Sequence, residues 1–382
     1  MLYLRFALSL RDVEELLAER GVVGSYETGM FMGPLHLEIG DAEAGSPTHA
    51  RMRAYRPVAF RTVRCGTYPV TRLVHPSADG NERTNAPMSY TMSHTPRPRF
   101  GIMTAPMQVD YRDVLRVGLE ADRIPEIEHA WLFDHLLPIG GDPNGPTYEG
   151  WTLLSALAAQ TERLRLGLLV TSNRFRPPAM LAKIAATVDI VSGGRLEFGI
   201  GAGSRPGHPL ARREYEAHGL PFHDAAYAVG SLAEACTIIR RLWTEVEPFD
   251  FHGTYVNLTG AFCNPKPVQH PHPPILIGGR SAATLRVVAA QADVWNIPGG
   301  DIADAVRRSA LLDRYCAEIG RDPAAITRSI YLPVSYDQPG NTRDAIGEAI
   351  AAGFPHIVLG LSAPYPANVA RWITDELITP SA

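Results

Sequence analysis

Two titratable side chains stand together where an apolar run stops: Trp131-Leu132-Phe133 closes on Asp134 and His135. An acid beside an imidazole that titrates near neutral pH has the makings of a proton-transfer site. The same spacing also suits a carboxylate that caps the following loop next to a hydrogen-bonded histidine. A second polar cluster, Thr171-Ser172-Asn173, ends the run that starts at Leu166 and opens toward Arg174 and Arg176, a composition that fits an anionic or polar ligand. Two glycine-rich stretches follow, Gly199-Ile200-Gly201-Ala202-Gly203-Ser204 and Ile277-Gly278-Gly279-Arg280-Ser281. The second leads directly into a helical period, so backbone N–H groups and the positive end of the helix dipole can hold a phosphate, with Arg280 adding charge. The plainer alternative is a tight turn that needs glycine for positive φ. His270 and His272 sit among Pro271, Pro273 and Pro274 with no third ligand near in sequence, so no metal is expected.

Groups at the ends of apolar runs need a scaffold that brings those ends together. Short apolar runs over 99–104, 130–134, 166–171, 196–201, 274–277, 293–297, 329–334 and 356–361 read as strands. Helical periods over 111–122, 151–163, 177–191, 225–244, 281–292, 301–319, 342–352 and 367–377 alternate with them. Pro177 and Pro178 stand where a helix start tolerates proline, and Gly193-Gly194 where a helix should end. Eight β/α units in about this length predict a closed α/β barrel of the (β/α)8 TIM type, whose chemistry lies on the loops after the strands. An open doubly wound sheet is the competitor, but no G-x-G-x-x-G with a ribose-binding acid about 20 residues on is present.

The segments Phe133-Asp134-His135, TERLRLGLLVTSNRFRPPAMLAKIAATVDIVSGGRLEFGIGAG (161–203), EYEAHGLPF (214–222), NPKPVQHPHPPILIGG (264–279) and ADVWN (292–296) occur in this order. Together they resemble the luciferase-like (bacterial luciferase-type) oxidoreductases, on the branch that uses the deazaflavin coenzyme F420, over about residues 99–361. The resemblance implies hydride transfer between F420 and a small organic substrate. It implies that Asp134 contacts the cofactor and that His135 is the catalytic, proton-transferring or substrate-facing imidazole. Leu169 and Val170, with Thr171 after them, match a non-prolyl cis peptide that bulges behind the deazaflavin ring. Gly201, Ala202 and Gly203, and Gly278, Gly279, Arg280 and Ser281, match loops lining the cofactor and its phosphate tail. Asp189 and Arg195 belong to the same signature and are read as a structural pair. Ser204 stands where sugar-phosphate dehydrogenases of the family carry a catalytic glutamate, which disfavours that activity. Ser204-Arg205-Pro206-Gly207-His208 also departs from the Gly-Trp of many relatives.

Composition narrows the partners. With 45% hydrophobic residues and a net charge of −4, the chain can bury a large core and offers no global field for nucleic acid or an acidic membrane. No apolar run is long enough to span a bilayer and no secretory signal is legible, which predicts a cytoplasmic protein. Cys65, Cys236, Cys263 and Cys316 show no C-x-x-C spacing. Residues 1–91 read as an extension distinct from the barrel domain at 92–382: an amphipathic helix near 10–20, then Gly, Pro, Ser, Thr and Arg without an apolar face, expected as loop or disorder. The first 28 residues resemble the N-terminus of an insertion-sequence transposase, cut short. The first 95 residues carry ten Arg, no Lys and ten acidic residues, so DNA binding is the weaker alternative there. The expected partner is a small-molecule substrate, with a homodimer by analogy to the family. An FMN-dependent monooxygenase and a cofactor-binding protein without turnover are the other readings.

Overall fold

The computed structural model of the protein describes residues 97–203 and 209–379. The helix expected near 10–20, the loop-rich stretch after it and the segment 204–208 lie outside the described residues.

Eight parallel strand positions close into a ring. In chain order the strands are β1 (Arg99–Thr104), β2 (Ile127–Leu132), β3 (Arg165–Leu168) with its short continuation β4 (Thr171–Ser172), β5 (Leu196–Gly201), β6 (Phe249–His252), β7 (Asn257–Ala261), β8 (Ile275–Gly278), β9 (Val294–Pro298), β10 (Thr327–Pro333) and β11 (His356–Leu361). The ring runs β3-β2-β1-β11-β10-β9-β8-β5, and β3 closes it against β5 with Leu166 opposite Leu196. Among the described strands only β6 and β7 stand apart, as an antiparallel hairpin. Around the ring lie α1 (Tyr111–Asp122), α2 (Gly150–Ala158), α3 (Pro178–Val191), α4 (Pro209–Ala217), α5 (Ala225–Thr244), α6 (Ala282–Gln291), α7 (Ile302–Glu318), α8 (Pro339–Ala351) and α9 (Val369–Ile373), the last continuing as a π-turn over Thr374–Ile378. The expected TIM barrel is therefore the fold. No helix among the described residues is long and apolar enough to cross a membrane.

Local chemistry explains the bounds. Asp110 caps α1 by accepting from Arg112 N–H, and Val114, Val117, Gly118 and Ala121 form its buried stripe at i, i+3, i+4 and i+7. Gly193 and Gly194 end α3 at φ of 68° and 85°. Strands β5 and β11 are buried at every residue, as parallel strands covered on both faces must be. One expectation fails here. Asp189 and Arg195 do not pair: Asp189 accepts from the backbone of Val268 and Gln269, whereas Arg195 donates to carbonyls of Ala158, Thr161, Leu164 and Ser192. Each ties a different loop to the barrel.

Inside the ring, Trp131, Leu276, Val294 and Val358 form a small apolar core of their own. Below it, toward the strand N-termini, the interior turns polar. His129 stacks on His356 with centroids 4.1 Å apart and accepts the Trp131 indole N–H at Nδ1 (2.7 Å). Glu197 receives Arg165 at 2.7 Å and Arg99 at 3.0 Å, and lies 3.5 Å from His356 Nε2. Burial, reinforced by His356, holds the His129 imidazole well below its ordinary value of 6.5. Burial alone would raise Glu197, but His356, His129 and Arg99 outweigh it and hold the carboxyl well below 4.5.

Both shifts make the barrel acid-labile. A depressed group contributes stability that is present above its unfolded-state value and is lost as pH falls through its folded value. His129 therefore begins to cost stability below pH 6.5 and Glu197 only below 4.5, each at up to about 1.4 kcal/mol per pH unit. His129→Gln keeps an acceptor for Trp131 but cannot titrate. Its unfolding midpoint is expected to fall less steeply than wild type as the pH drops below 6.5, most cleanly between 6.5 and 4.5, where Glu197 does not yet contribute. Equal slopes in the upper window would show that His129 is not the group responsible.

Candidate active site

The C-terminal ends of β2, β3–β4, β5 and β8 bring most of the expected residues to one sector of the barrel mouth. Past β2, Asp134 is buried and held by a fork: Arg176 Nη1 donates to Oδ2 (2.6 Å) and Nη2 to Oδ1 (2.9 Å). Thr171 Oγ1 also donates to Asp134, while accepting the Trp151 indole N–H at 3.1 Å. Arg176 reaches Glu149 as well, the residue that caps α2. Burial pushes the Asp134 carboxyl above its ordinary value in spite of Arg176, whereas at Glu149 burial is outweighed by hydrogen bonds from Thr152, then by Arg176 and the Trp151 N–H, so that carboxyl is lowered. Asp134, with Arg176 and Thr171, thus forms a strut that locks the β2 end to β4 and to the lead into α3.

His135 is half-buried next to this strut. Its Nδ1 lies 3.2 Å from both carboxylate oxygens of Glu214, a buried side chain on α4. The same carboxylate accepts from Leu136 N–H at 2.6 Å. With Nδ1–H donated to Glu214, Nε2 is left as the acceptor on the far edge of the ring. Sequence reasoning did not single out Glu214, although it opens the quoted 214–222 segment. A partner 79 positions away carries no periodic signal.

The wall of the mouth is built by a break in one strand. Between β3 and β4 the Leu169–Val170 peptide is cis, and the Val170 side chain turns toward β5 and β8. A Cβ on Gly201 would stand 2.7 Å from Val170 Cγ2, and one on Gly278 2.9 Å from Cγ1. Both glycines are therefore required for the valine to seat. Met103, Leu169, Val170 and Tyr331 pack on the upper side of the interior core as an apolar floor. A planar, mostly apolar ring system fits such a floor, with the glycines clearing the walls.

The two glycine loops divide in role. Gly203, at φ 85°, admits the Tyr215 hydroxyl, which a Cβ would meet at 2.6 Å, and Ala202 packs partly buried against the core. Gly279, at φ 148°, accepts the Trp295 indole N–H through its carbonyl at 2.8 Å. Ser281 is the N-cap of α6, its hydroxyl accepting from Thr284 N–H at 3.0 Å, so the glycine turn and the helix start coexist. Arg280, expected to offer charge to a phosphate, pairs with Asp304 at 3.1 Å. His272 Nδ1 lies 2.8 Å from its neighbour's carbonyl, that of Pro273.

Residues 88–371 match the family described as luciferase-like monooxygenase. A Mycobacterium tuberculosis protein, itself uncharacterized, is 32% identical over 220 residues, which cover 58% of this chain and 70% of that one. The FMNH2-dependent dimethylsulfone monooxygenase of Pseudomonas putida is 29% identical over 225 residues, 56% of this chain and 57% of that one. Among solved structures, an F420-dependent secondary alcohol dehydrogenase in complex with an F420-acetone adduct superposes with a TM-score of 0.66 at 19% identity, over 75% of this chain and 99% of its own; at that identity the likeness speaks for the fold. The matched stretch takes in every strand of the barrel and the whole of this site, and the chain belongs to the luciferase-like monooxygenase family.

Proposed function

We propose that this protein is an oxidoreductase that transfers a hydride between the deazaflavin coenzyme F420 and a small organic substrate. The observation that carries the reading is the Val170 bulge seated against Gly201 and Gly278 above an apolar floor, close to a histidine with a buried carboxylate behind it. Leu169, Val170, Thr171 and the Gly201–Gly203 turn would hold the ring, and the loop from Gly278 to Ser281 would hold its tail. When bound, the coenzyme supplies the two-electron chemistry. The chain's own groups orient, exclude water and move a proton. His135 exchanges that proton through Nε2 with an oxygen of the substrate, and Glu214 keeps Nδ1–H turned away. The alcohol dehydrogenase likeness supports this assignment.

The FMNH2-dependent relative favours a second reading, a flavin monooxygenase on the same floor. Titration of the full chain with F420 and with FMN, in both redox states and followed by cofactor fluorescence, separates the two. F420 is expected to bind at least tenfold more tightly. Tighter binding of reduced FMN would install the monooxygenase instead, and binding of neither would remove both.

A further inference from the structure

Arg174 and Arg176 are two residues apart, yet their surroundings differ. Arg176 is neutralised by two carboxylates, whereas Arg174 has no carboxylate within ion-pair distance among the described residues. Nor does the adjoining segment 204–208 contain an acidic residue. The Arg174 guanidinium lies over the Tyr215 ring at 4.4 Å and the Phe222 ring at 5.0 Å. Its Nε donates to Tyr215 Oη and its Nη1 to the His223 carbonyl, both at 3.0 Å. Its Nη2 is buried and has no hydrogen-bond partner among the described residues. Arg174 also lines a cavity of about 280 Å³ shared with Asn173, His223 and Tyr227, the last two stacked at 3.7 Å.

A guanidinium placed in an aromatic box without a counter-charge is destabilising unless something anionic completes it. Its fork matches a carboxylate or phosphate. The aromatic rings fix its plane, the backbone carbonyl and the phenol hold two of its edges, and the remaining edge is unused. We propose that the Arg174 cavity is an anion subsite, which takes a carboxylate or phosphate group carried by a small-molecule ligand. Through Tyr215, which also meets Ser172 at 3.1 Å, the subsite adjoins the ends of β4 and β5 and hence the barrel mouth. The anion can therefore belong to the tail of a cofactor bound there or to the substrate.

Inorganic phosphate tests the subsite whether or not a deazaflavin binds, so this inference and the proposed function fail separately. At constant ionic strength, phosphate is expected to raise the unfolding midpoint of the full chain saturably, and chloride is not. Arg174→Gln should weaken phosphate at least tenfold. Arg174→Lys, which keeps a cation in the aromatic box, should weaken it about fivefold because the fork is lost. Arg286→Gln, at an exposed pair with Glu318, should leave it unchanged. No saturable response in the wild type, or wild-type phosphate affinity in either folded Arg174 variant, overturns the proposal. The two sources are told apart with F420 and with its tail-less chromophore. Weakening of F420 alone by Arg174→Gln assigns the subsite to the tail, and loss of phosphate with both left unchanged assigns it to the substrate.

Discussion

Arg176→Ala is expected to lower the stability of the chain by about 3–5 kcal/mol, the range seen when one partner of a buried ion pair is removed. The cause is the Asp134 carboxylate, whose side chain is 1% exposed and which would be left with only the Thr171 hydroxyl and a long contact to Ser172 N–H. Burial already pushes this carboxyl up, so loss of the cation penalises its charged form further. Replacing both members, Asp134→Asn with Arg176→Ala, removes the charges together and should recover a good part of the loss. Urea unfolding of the two single variants and the double variant supplies the cycle. If the double variant is as unstable as the sum of the singles, the two groups do not interact and the strut assigned to them does not exist. Because Asp134 precedes His135 and binds Thr171 at the bulge, the same substitution should weaken binding at the barrel mouth.

The strut illustrates what the amino-acid sequence makes legible and what it hides. β1, β5, β11, α1 and α5 have the bounds their patterns predict, because burial on both strand faces and aspartate caps are local signals. At the second strand, pairing starts at Ile127 and stops at Leu132, earlier than the 130–134 expected, since the chain leaves the sheet to aim Asp134 and His135 across the mouth. The third was expected as one run over 166–171 and is interrupted at Leu169–Val170, a break that apolar composition alone does not register. The eighth helix begins at Pro339 and not at residue 342, because proline is accepted in a first helical turn. The last stretch, expected as one helix over 367–377, is a short helix passing into a π-turn. The β6–β7 hairpin and α4 went unrecognised. Their short, half-exposed segments give neither period enough length to stand out. Of the candidate site, the residues at strand ends were readable from the barrel rule. Their partners Glu214, Tyr215 and the Arg176 fork depend on contacts across 40 or more positions, which no local pattern encodes.

That division bears on the chemistry, since the group most exposed to sequence reasoning, His135, depends on one that escaped it. With a substrate identified, His135→Ala is expected to lower kcat about 100- to 10,000-fold, the usual range for a lost general acid or base, while cofactor affinity stays within about twofold. Unchanged kcat would take His135 out of the mechanism, and lost cofactor affinity would make it a binding group. Glu214 touches no reacting atom in this scheme and is a positioning residue. It holds His135 Nδ1 at 3.2 Å and Leu136 N–H at 2.6 Å at once, so it sets both the ring and the backbone that carries it. Glu214→Ala should therefore reproduce much of the His135→Ala loss in kcat with KM little changed. Glu214→Gln retains an acceptor oxygen and should recover most of it. A purely structural glutamate would behave otherwise: both variants would lose stability and folded fraction, and kcat per folded molecule would stay at the wild-type value. Measuring kcat against folded fraction in the two variants thus decides whether α4 reaches across the mouth to brace the barrel or to aim the imidazole.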